Sequence, residues 1–281
     1  MALMINTNVS SLNAQRRLTS STNALGKTFE RLSSGLRINR AGDDAAGLSI
    51  STRMTAQVRG TTQAIRNAND AISLTQVAEG ALNETTSALQ RIRELTVQAV
   101  NDTNRAADRT DIQREIKQLL SEIDRISTTT KFNKVALLSG GFATGKKFQV
   151  GPDGAQTIQM SIRNATTSGL FSGTAGTGSI NVSITNATGS FNKLIGRIDS
   201  ALDSVADIRA RLGAYQNRFE AVIANLSNMV ENTSAARSRI LDADIAAETA
   251  SLTKNSILQQ AGTAILAQAN QQPQIALKLL S

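Results

Sequence analysis

Apolar residues recur along this chain at intervals of three and four, in runs that stop and restart at short polar breaks. Leu18, Leu25, Phe29, Leu32 and Leu36 are spaced by seven, four, three and four, which predicts a helix with one narrow stripe of the coiled-coil kind. Asn39 to Gly42 interrupts it, and Asp43-Asp44 stands where an N-cap acceptor precedes a new helix. That second helix is predicted over about 45–101, on a seam of Leu74, Ala78, Ala81, Thr85, Ala88, Ile92, Leu95 and Ala99. At 1.5 Å per residue it would be about 85 Å long, and such a rod needs neighbours. Residues 101–108 are polar and turn-like. Thr110 and Gln113 then match a capping box ahead of a third helix over 109–128, whose seam is Ile112, Ile116, Leu119, Ile123 and Ile126.

From Thr128 the period changes. Phe148 and Val150 lead into Gly151-Pro152-Asp153-Gly154, read as a turn in which proline presets φ and glycine accepts a positive one. Ile158, Met160 and Ile162 alternate, as do Ile180, Val182 and Ile184, so 130–190 is predicted to be a β-hairpin region with Ser/Thr/Gly-rich loops. Ten of the nineteen glycines fall between Gly140 and Gly189, which places the outer tip there. Threes and fours return from Ile198 to Met229, predicting a helix over 191–232. A last helix starts after Asp242 and Asp244 and runs through Ile257, Ala261, Ala264 and Ile265 to Leu279-Leu280, with Pro273 fraying only its last turn. The fold class is mainly α, with the first and last helices paired and a small β region in mid-chain.

Composition narrows the chemistry. Aromatics are 3% of the chain and tryptophan is absent, so cores must be built from Leu, Ile, Val and Ala, as in narrow helix bundles. Without cysteine or histidine there is no thiol and no imidazole, and no carboxylate pair is nominated for acid–base work. No enzyme, metal or cofactor is expected. The net charge of +8 is spread singly along helices, as at Arg53, Arg59 and Arg66, without stacking aromatics beside it. That describes a solvated or intersubunit face rather than a nucleic-acid site. No apolar run approaches the ~20 residues of a membrane span, and Met1-Ala-Leu-Met-Ile5 lacks the basic leader of a cleavable signal peptide. Thin, Ala-rich terminal stripes bury little apolar surface when paired only with each other. They predict a chain completed by packing many copies around an axis.

The string Leu32-Ser-Ser-Gly-Leu-Arg-Ile-Asn-Arg-Ala-Gly-Asp-Asp-Ala-Ala-Gly-Leu-Ser-Ile-Ser51 resembles the signature of bacterial flagellin. So do Ile5-Asn-Thr-Asn8, Asn67 to Ser73, Glu79 to Leu82, Leu212 to Arg218, Arg239 to Asp244, Ala264 to Asn270 and Leu277 to Leu280, in the family's order. Only about 143–190 falls outside the resemblance, which implies the minimal type without added outer domains. It implies an inner domain of 1–44 with 236–281, an outer rod of 45–235, and a spoke between them at Gly35, Arg37, Asn39, Gly42, Asp43, Asp44 and Gly47. Polymerisation is expected through Ile5, Leu12, Leu25, Phe29, Leu32, Ile257, Ile265, Leu279 and Leu280. The family further implies export by the flagellar type III route, a cytoplasmic export chaperone on the C-terminal helix, and contact with hook-junction and cap proteins. Gln90, Arg91, Leu95, Gln98 and Glu115 match the segment recognised by Toll-like receptor 5, with Arg91 as anchor. A hook–filament junction protein and a spirochaete-type periplasmic filament core protein are the nearest rivals. An inserted metalloprotease, known in some flagellins, is excluded because its His-Glu-x-x-His site needs histidine.

Overall fold

The computed structural model describes residues 7–171 and 188–280. It is mainly helical and divides into two compact units, one of Met1–Val58 with Glu231–Ser281, the other of Arg59–Val230. Ile5 and the strand expected over Ile180, Val182 and Ile184 lie outside the described residues.

In the first unit, α1 (Val9–Ser34) opens with the Asn8 side chain accepting from Ser11 N at 3.1 Å, an N-cap that satisfies one orphan donor. It closes at Gly35, whose φ of 71° is the left-handed conformation glycine adopts without a Cβ penalty. Helix α6 (Ile245–Leu280) starts on Asp244, whose carboxylate accepts from Ala246 N and Ala247 N at 2.9 and 3.2 Å. The two pack antiparallel: Asn8 donates to Ala269 O at 2.7 Å near one end, and Arg31 pairs with Glu248 at 3.0 Å near the other.

The seam between them is not the most apolar stripe of either helix. Along α1 it follows Ser11, Ala14, Leu18, Ser21, Leu25, Thr28 and Leu32; along α6 it follows Glu248, Leu252, Asn255, Gln259, Gly262, Leu266 and Ala269. Phe29, placed on the α1 stripe from its spacing, is 57% exposed, and Ala261, Ala264, Ile257 and Ile265 are exposed as well. Small and polar residues decide the pairing because they let the helices approach: a Cβ at Gly262 would stand 3.3 Å from the Leu18 side chain. Leu18, Leu25 and Leu32 of α1 and Leu252 and Leu266 of α6 share the seam, while Phe29, Ile257 and Ile265 are left exposed.

The second unit is a helical core around parts of two long helices. Helix α2 (Ala45–Val100) contributes its residues from Arg59 onward, and α5 (Thr188–Leu241) its residues up to Val230. With α3 (Ala106–Thr129) they bury one cluster that includes Leu82, Leu89, Ile92, Leu95, Ile116, Ile123, Ile198, Val205 and Phe219. Arg93–Asp199 at 2.8 Å and Gln216–Glu79 at 3.2 Å fix α2 and α5 antiparallel. The α2 core face is wider than the expected seam. Leu82 and Leu89 are fully buried whereas Ala81 and Ala88 are only half-buried, as befits a helix covered by two neighbours rather than one.

Helix α3 starts earlier than its expected box. Asp108 accepts from Arg105 N at 3.0 Å, supplying the reciprocal half of a cap. Thr110 is inside the helix, bonding back to Ala106 O at 2.9 Å. Helix α5 likewise extends past residue 232, because nothing between Met229 and Leu241 is a Gly or Pro breaker.

Two hairpins follow α3. Strands β1 (Lys131–Phe132) and β2 (Val135–Ala136) join through Asn133 and Lys134, with φ of 48° and 66°, the two positive values of a type I′ turn whose twist suits a hairpin. Strands β3 (Lys146–Gln149) and β4 (Thr157–Met160) pair antiparallel from Lys146↔Met160 to Gln149↔Thr157. Ile158 and Met160 are buried and Thr157 and Gln159 exposed, as alternation requires. Their turn is closed by Val150 N→Gln156 O at 2.9 Å and Gln156 N→Asp153 O at 3.2 Å. Neither Gly151 nor Gly154 has a positive φ, contrary to the expected turn chemistry. Gly151 is there because the Gln156 side chain occupies the space a Cβ would need. This hairpin docks by Phe148 edge-on to Phe219 at 5.9 Å between centroids and by Asn67 Nδ2 donating to Gln149 O at 3.0 Å. A one-turn α4 (Thr167–Leu170) is held to α3 by the Asp124 carboxylate, which accepts from Thr167 N at 2.8 Å.

Candidate assembly and recognition surfaces

The helices of the first unit hide little apolar surface. Among the described residues, only Ile38 and Ala269 are buried apolar residues there, while Val9, Leu12, Phe29, Ile50, Ile245, Ile257, Leu258 and Ile265 are large, apolar and exposed. Leu12, Phe29, Ile257 and Ile265 are thus outward-facing, whereas Leu25 and Leu32 are half-buried on the α1·α6 seam. Leu279 and Leu280 belong to the α6 backbone, with side chains outside the described residues. At ~25 cal/mol per Å² of apolar area, this pair gains little from its own contact.

Residues 35–47 form a compact turn between α1 and α2. Leu36 and Asp242 form an antiparallel bridge, with Arg37 N→Leu241 O at 2.7 Å and Ala243 N→Gly35 O at 2.9 Å. The Arg37 guanidinium adds Nε and Nη2 bonds to Ile240 O at 3.2 and 2.7 Å, a cation at the C-terminal end of α5 where the helix dipole is negative. Asn39 bonds Leu36 O at 3.2 Å. Asp43 accepts from Arg40 N at 3.1 Å and Asn39 N at 3.3 Å, and pairs with Lys27 at 3.4 Å. Asp44 caps α2 through Gly47 N at 2.8 Å.

The glycines here have different jobs. Only Gly35 has a positive φ, and Gly42 is exposed with an ordinary one. Gly47 lies inside α2, where a Cβ would fall 2.5 Å from Asp44 Oδ2 and 2.7 Å from the Ile38 side chain. Gly35→Ala is expected to cost about 1–2 kcal/mol, the penalty of an L-residue in the left-handed region, read as a lowered thermal midpoint of the monomer by circular dichroism.

Asp43 carries a testable pH dependence. The Arg40 N–H above all, then Asn39 N–H and Lys27, hold its carboxyl below the ordinary carboxylate value. A depressed folded value means the stabilisation is present above the unfolded value of about 3.9 and is lost as pH falls through the lower folded one. Asp43→Asn is therefore expected to lower the melting temperature at pH 7, and the gap between variant and parent should start to narrow as pH falls below about 3.9 and close only below the lowered folded value.

A second surface lies on α2 and α3 of the other unit. Gln90, Arg91 and Gln98 are exposed on α2, and Glu115 faces them from α3. Arg91 already uses its fork: Nε and Nη2 bond Glu115 at 3.2 and 3.1 Å, and Nη1 bonds Glu94 at 3.2 Å. Glu94 first, then Glu115, raises its pKa above the ordinary guanidinium value. Leu95 does not join this surface. It is 2% exposed and belongs to the core cluster. Sequence reasoning misses two members: Glu94, whose i,i+3 spacing to Arg91 is the available signal, and the exposed Val97.

Both surfaces belong to a chain whose exposed helix faces invite side-by-side packing. Comparison with known proteins supplies its class. A family model for the bacterial flagellin N-terminal helical region matches residues 5–144, and one for the bacterial flagellin C-terminal helical region matches 195–280. The chain is 47% identical over 278 residues to a flagellin of Halalkalibacterium halodurans, with 99% of this chain and 100% of that protein covered. It is 46% identical to a flagellin of Bacillus subtilis and 45% identical to a flagellar filament 33 kDa core protein of Treponema phagedenis, again over 99% of this chain and 100% of each relative. A solved structure described as a putative flagellar hook-associated protein from Vibrio parahaemolyticus gives a TM-score of 0.60 at 13% identity, covering 71% of this chain and 100% of that one. That last likeness is one of fold. The chain belongs to the bacterial flagellin family: it is a non-enzymatic structural subunit of the flagellar filament, of short form.

Proposed function

We propose that the chain polymerises through α1 and α6, with 1–44 and 236–281 forming the inner core of the filament, 45–235 the outer rod, and residues 35–47 the spoke between them. The observation that carries this is the imbalance in the first unit, with two buried apolar residues against eight large exposed ones among those described. Assembly supplies the missing burial, so helices that are marginal alone become stable in the polymer. Ile257→Lys with Ile265→Lys is expected to keep the helical content of the monomer and to leave the protein in the supernatant where the parent chain sediments as filaments.

The filament stands outside the cell, reached by the flagellar type III route. An export chaperone covers α6 beforehand, and hook-junction and cap proteins meet the two ends of the polymer. The 45% identity to a Treponema phagedenis filament core protein supports a periplasmic filament as the alternative location. Free monomer is also a ligand of Toll-like receptor 5 through Gln90, Arg91, Gln98 and Glu115. What supports this is a rigid, exposed Arg91 whose rotamer Glu115 and Glu94 hold in place. With an arginine anchor typically worth about 2 kcal/mol or more in an interface, Arg91→Ala should weaken monomer binding to the receptor ectodomain at least tenfold without moving the melting temperature. Unchanged binding would refute the assignment.

A further inference from the structure

The hairpin ribbon that follows α3 carries charge of one sign. Residues 131–152 hold four lysines, Lys131, Lys134, Lys146 and Lys147, and no acid; over 131–171 Arg163 adds a fifth cation and Asp153 is the one carboxylate. All five cations are exposed. Arg163 pairs with Asp207 at 3.6 Å, whereas the four lysines make no ion pair or side-chain hydrogen bond among the described residues. The helical stretches behind the ribbon, 59–84, 119–129 and 203–220, hold six basic and eight acidic residues. Four of those acids are engaged already: Glu79 with Arg209 at 3.9 Å, Glu122 with Arg125 at 2.6 Å, Asp207 with Arg211 at 3.1 Å, and Asp124 with Thr167 at 2.8 Å. At physiological ionic strength the Debye length is about 8 Å, so charges a helix diameter behind the ribbon weaken its field little.

Backbone bonds set the order of these cations. Leu137 N→Thr130 O at 3.1 Å closes the first hairpin beside Lys131. Ala165 N→Leu138 O at 2.8 Å and Ile162 N→Phe142 O at 3.2 Å carry the pairing on, and Lys146↔Met160 begins the second hairpin. Arg163 therefore falls between the Lys131–Lys134 pair and the Lys146–Lys147 pair. Met160 and Ala165, five residues apart, are separated by at most about 18 Å, so one extended polymer can reach both lysine pairs. Lys147 stands opposite the exposed Gln159, on the ribbon face away from buried Ile158. The rings are turned inward: Phe142 is buried, and Phe148 packs on Phe219 at 5.9 Å between centroids. Val135 is the one large apolar side chain exposed over 131–171 among the described residues.

We propose that this row of cations, Lys131, Lys134, Arg163, Lys146 and Lys147, is a docking surface for an acidic polysaccharide. Charge complementarity selects a polyanion, and the spread of the row along a ribbon suits a linear one with anionic groups at intervals. Lysine is a flexible point charge without the planar fork that reads one anion in one geometry, which matches a polymer of variable sulfate or carboxylate spacing. Unpaired nucleic-acid bases would need an exposed ring to stack on, and the ribbon offers none. A bilayer surface would need an apolar face to enter it, and Val135 alone is not one. Contacts of this kind are weak singly. In the filament the row recurs on every copy, so a long polysaccharide meets many at once and avidity multiplies them.

The test is the affinity of the full-length monomer for heparin, a sulfated polysaccharide, measured across a salt series. One variant combines Lys131→Gln, Lys134→Gln, Lys146→Gln and Lys147→Gln; a second removes the same charge from helix surfaces, as Arg59→Gln, Arg66→Gln, Lys117→Gln and Arg218→Gln. All eight positions are exposed, and circular dichroism is expected to match the parent in both. The ribbon variant is expected to lose affinity by about tenfold or more at physiological salt, with a shallower salt dependence, because fewer counterions are released. The helix variant should stay within about twofold of the parent, its charges lying beyond a Debye length of the row. Equal losses in the two variants would reduce the effect to net charge and overturn the surface, as would a parent that does not bind at physiological salt. Tighter binding of the parent to duplex DNA or to anionic vesicles than to heparin would overturn the choice of partner. Every arm uses monomer, so each of these failures leaves polymerisation standing.

Discussion

Leu95→Asp is expected to unfold the unit spanning Arg59–Val230 rather than to edit its surface. Leu95 is 2% exposed within a cluster that also buries Ile92, Ile116 and Ile198. A carboxylate there has no partner among these neighbours, and the packing of the lost isobutyl group disappears with it. Large-to-small changes at such sites cost about 2–5 kcal/mol, and an unpaired charge adds to that. Against a total of about 5–15 kcal/mol for a domain, Leu95→Asp should abolish the cooperative melt of the monomer. Leu95→Ala should lower its midpoint clearly. A melt like the parent's in both variants would put Leu95 at the surface. The result bears on receptor work, because lost signalling at position 95 reports folding unless the melt is measured beside it. Arg91, half exposed and outside the core, is free of that confusion.

Removing residues 1–44 and 246–281 is expected to leave a folded, soluble monomer that does not assemble. The core cluster lies wholly within residues 68–219, so the truncation takes none of its members. What it takes is α1, most of α6 and six of the eight large exposed apolar residues of the first unit, Ile50 and Ile245 remaining. Sedimentation under salting-out conditions should leave the truncated chain in the supernatant at every concentration, with a cooperative thermal transition retained. Pelleting as ordered filaments would move the assembly determinants onto α2, α3 and α5.

Much of this fold is written in the spacing of its apolar residues, and the misses share a physical cause. Helices α2, α3 and α5 are legible because each buries a broad stripe against two neighbours. The α1·α6 seam is legible on its α1 side, through Leu18, Leu25 and Leu32, but not on its α6 side, where the helices also approach through Gly262 and Ala269 and spacing arguments follow larger apolar residues. Phe29, Ile257 and Ile265, which spacing puts on the stripes, are left exposed. Spacing places Leu95 on the α2 seam, where it is found; the resemblance to the receptor-recognised segment is what puts it at the surface, and Arg91 sits at the edge of that face while Leu95 turns into the core. The type I′ turn at Asn133-Lys134 lacks the usual glycine. At Gly151 and Gly47 glycine serves close approach, which only neighbouring side chains reveal.

The most direct test of the account is electron microscopy of the purified full chain after salting-out onto filament seeds. Long filaments of uniform diameter are predicted. Monomers or short closed rings, from protein whose helical content is intact, would contradict assembly through the outward faces of α1 and α6.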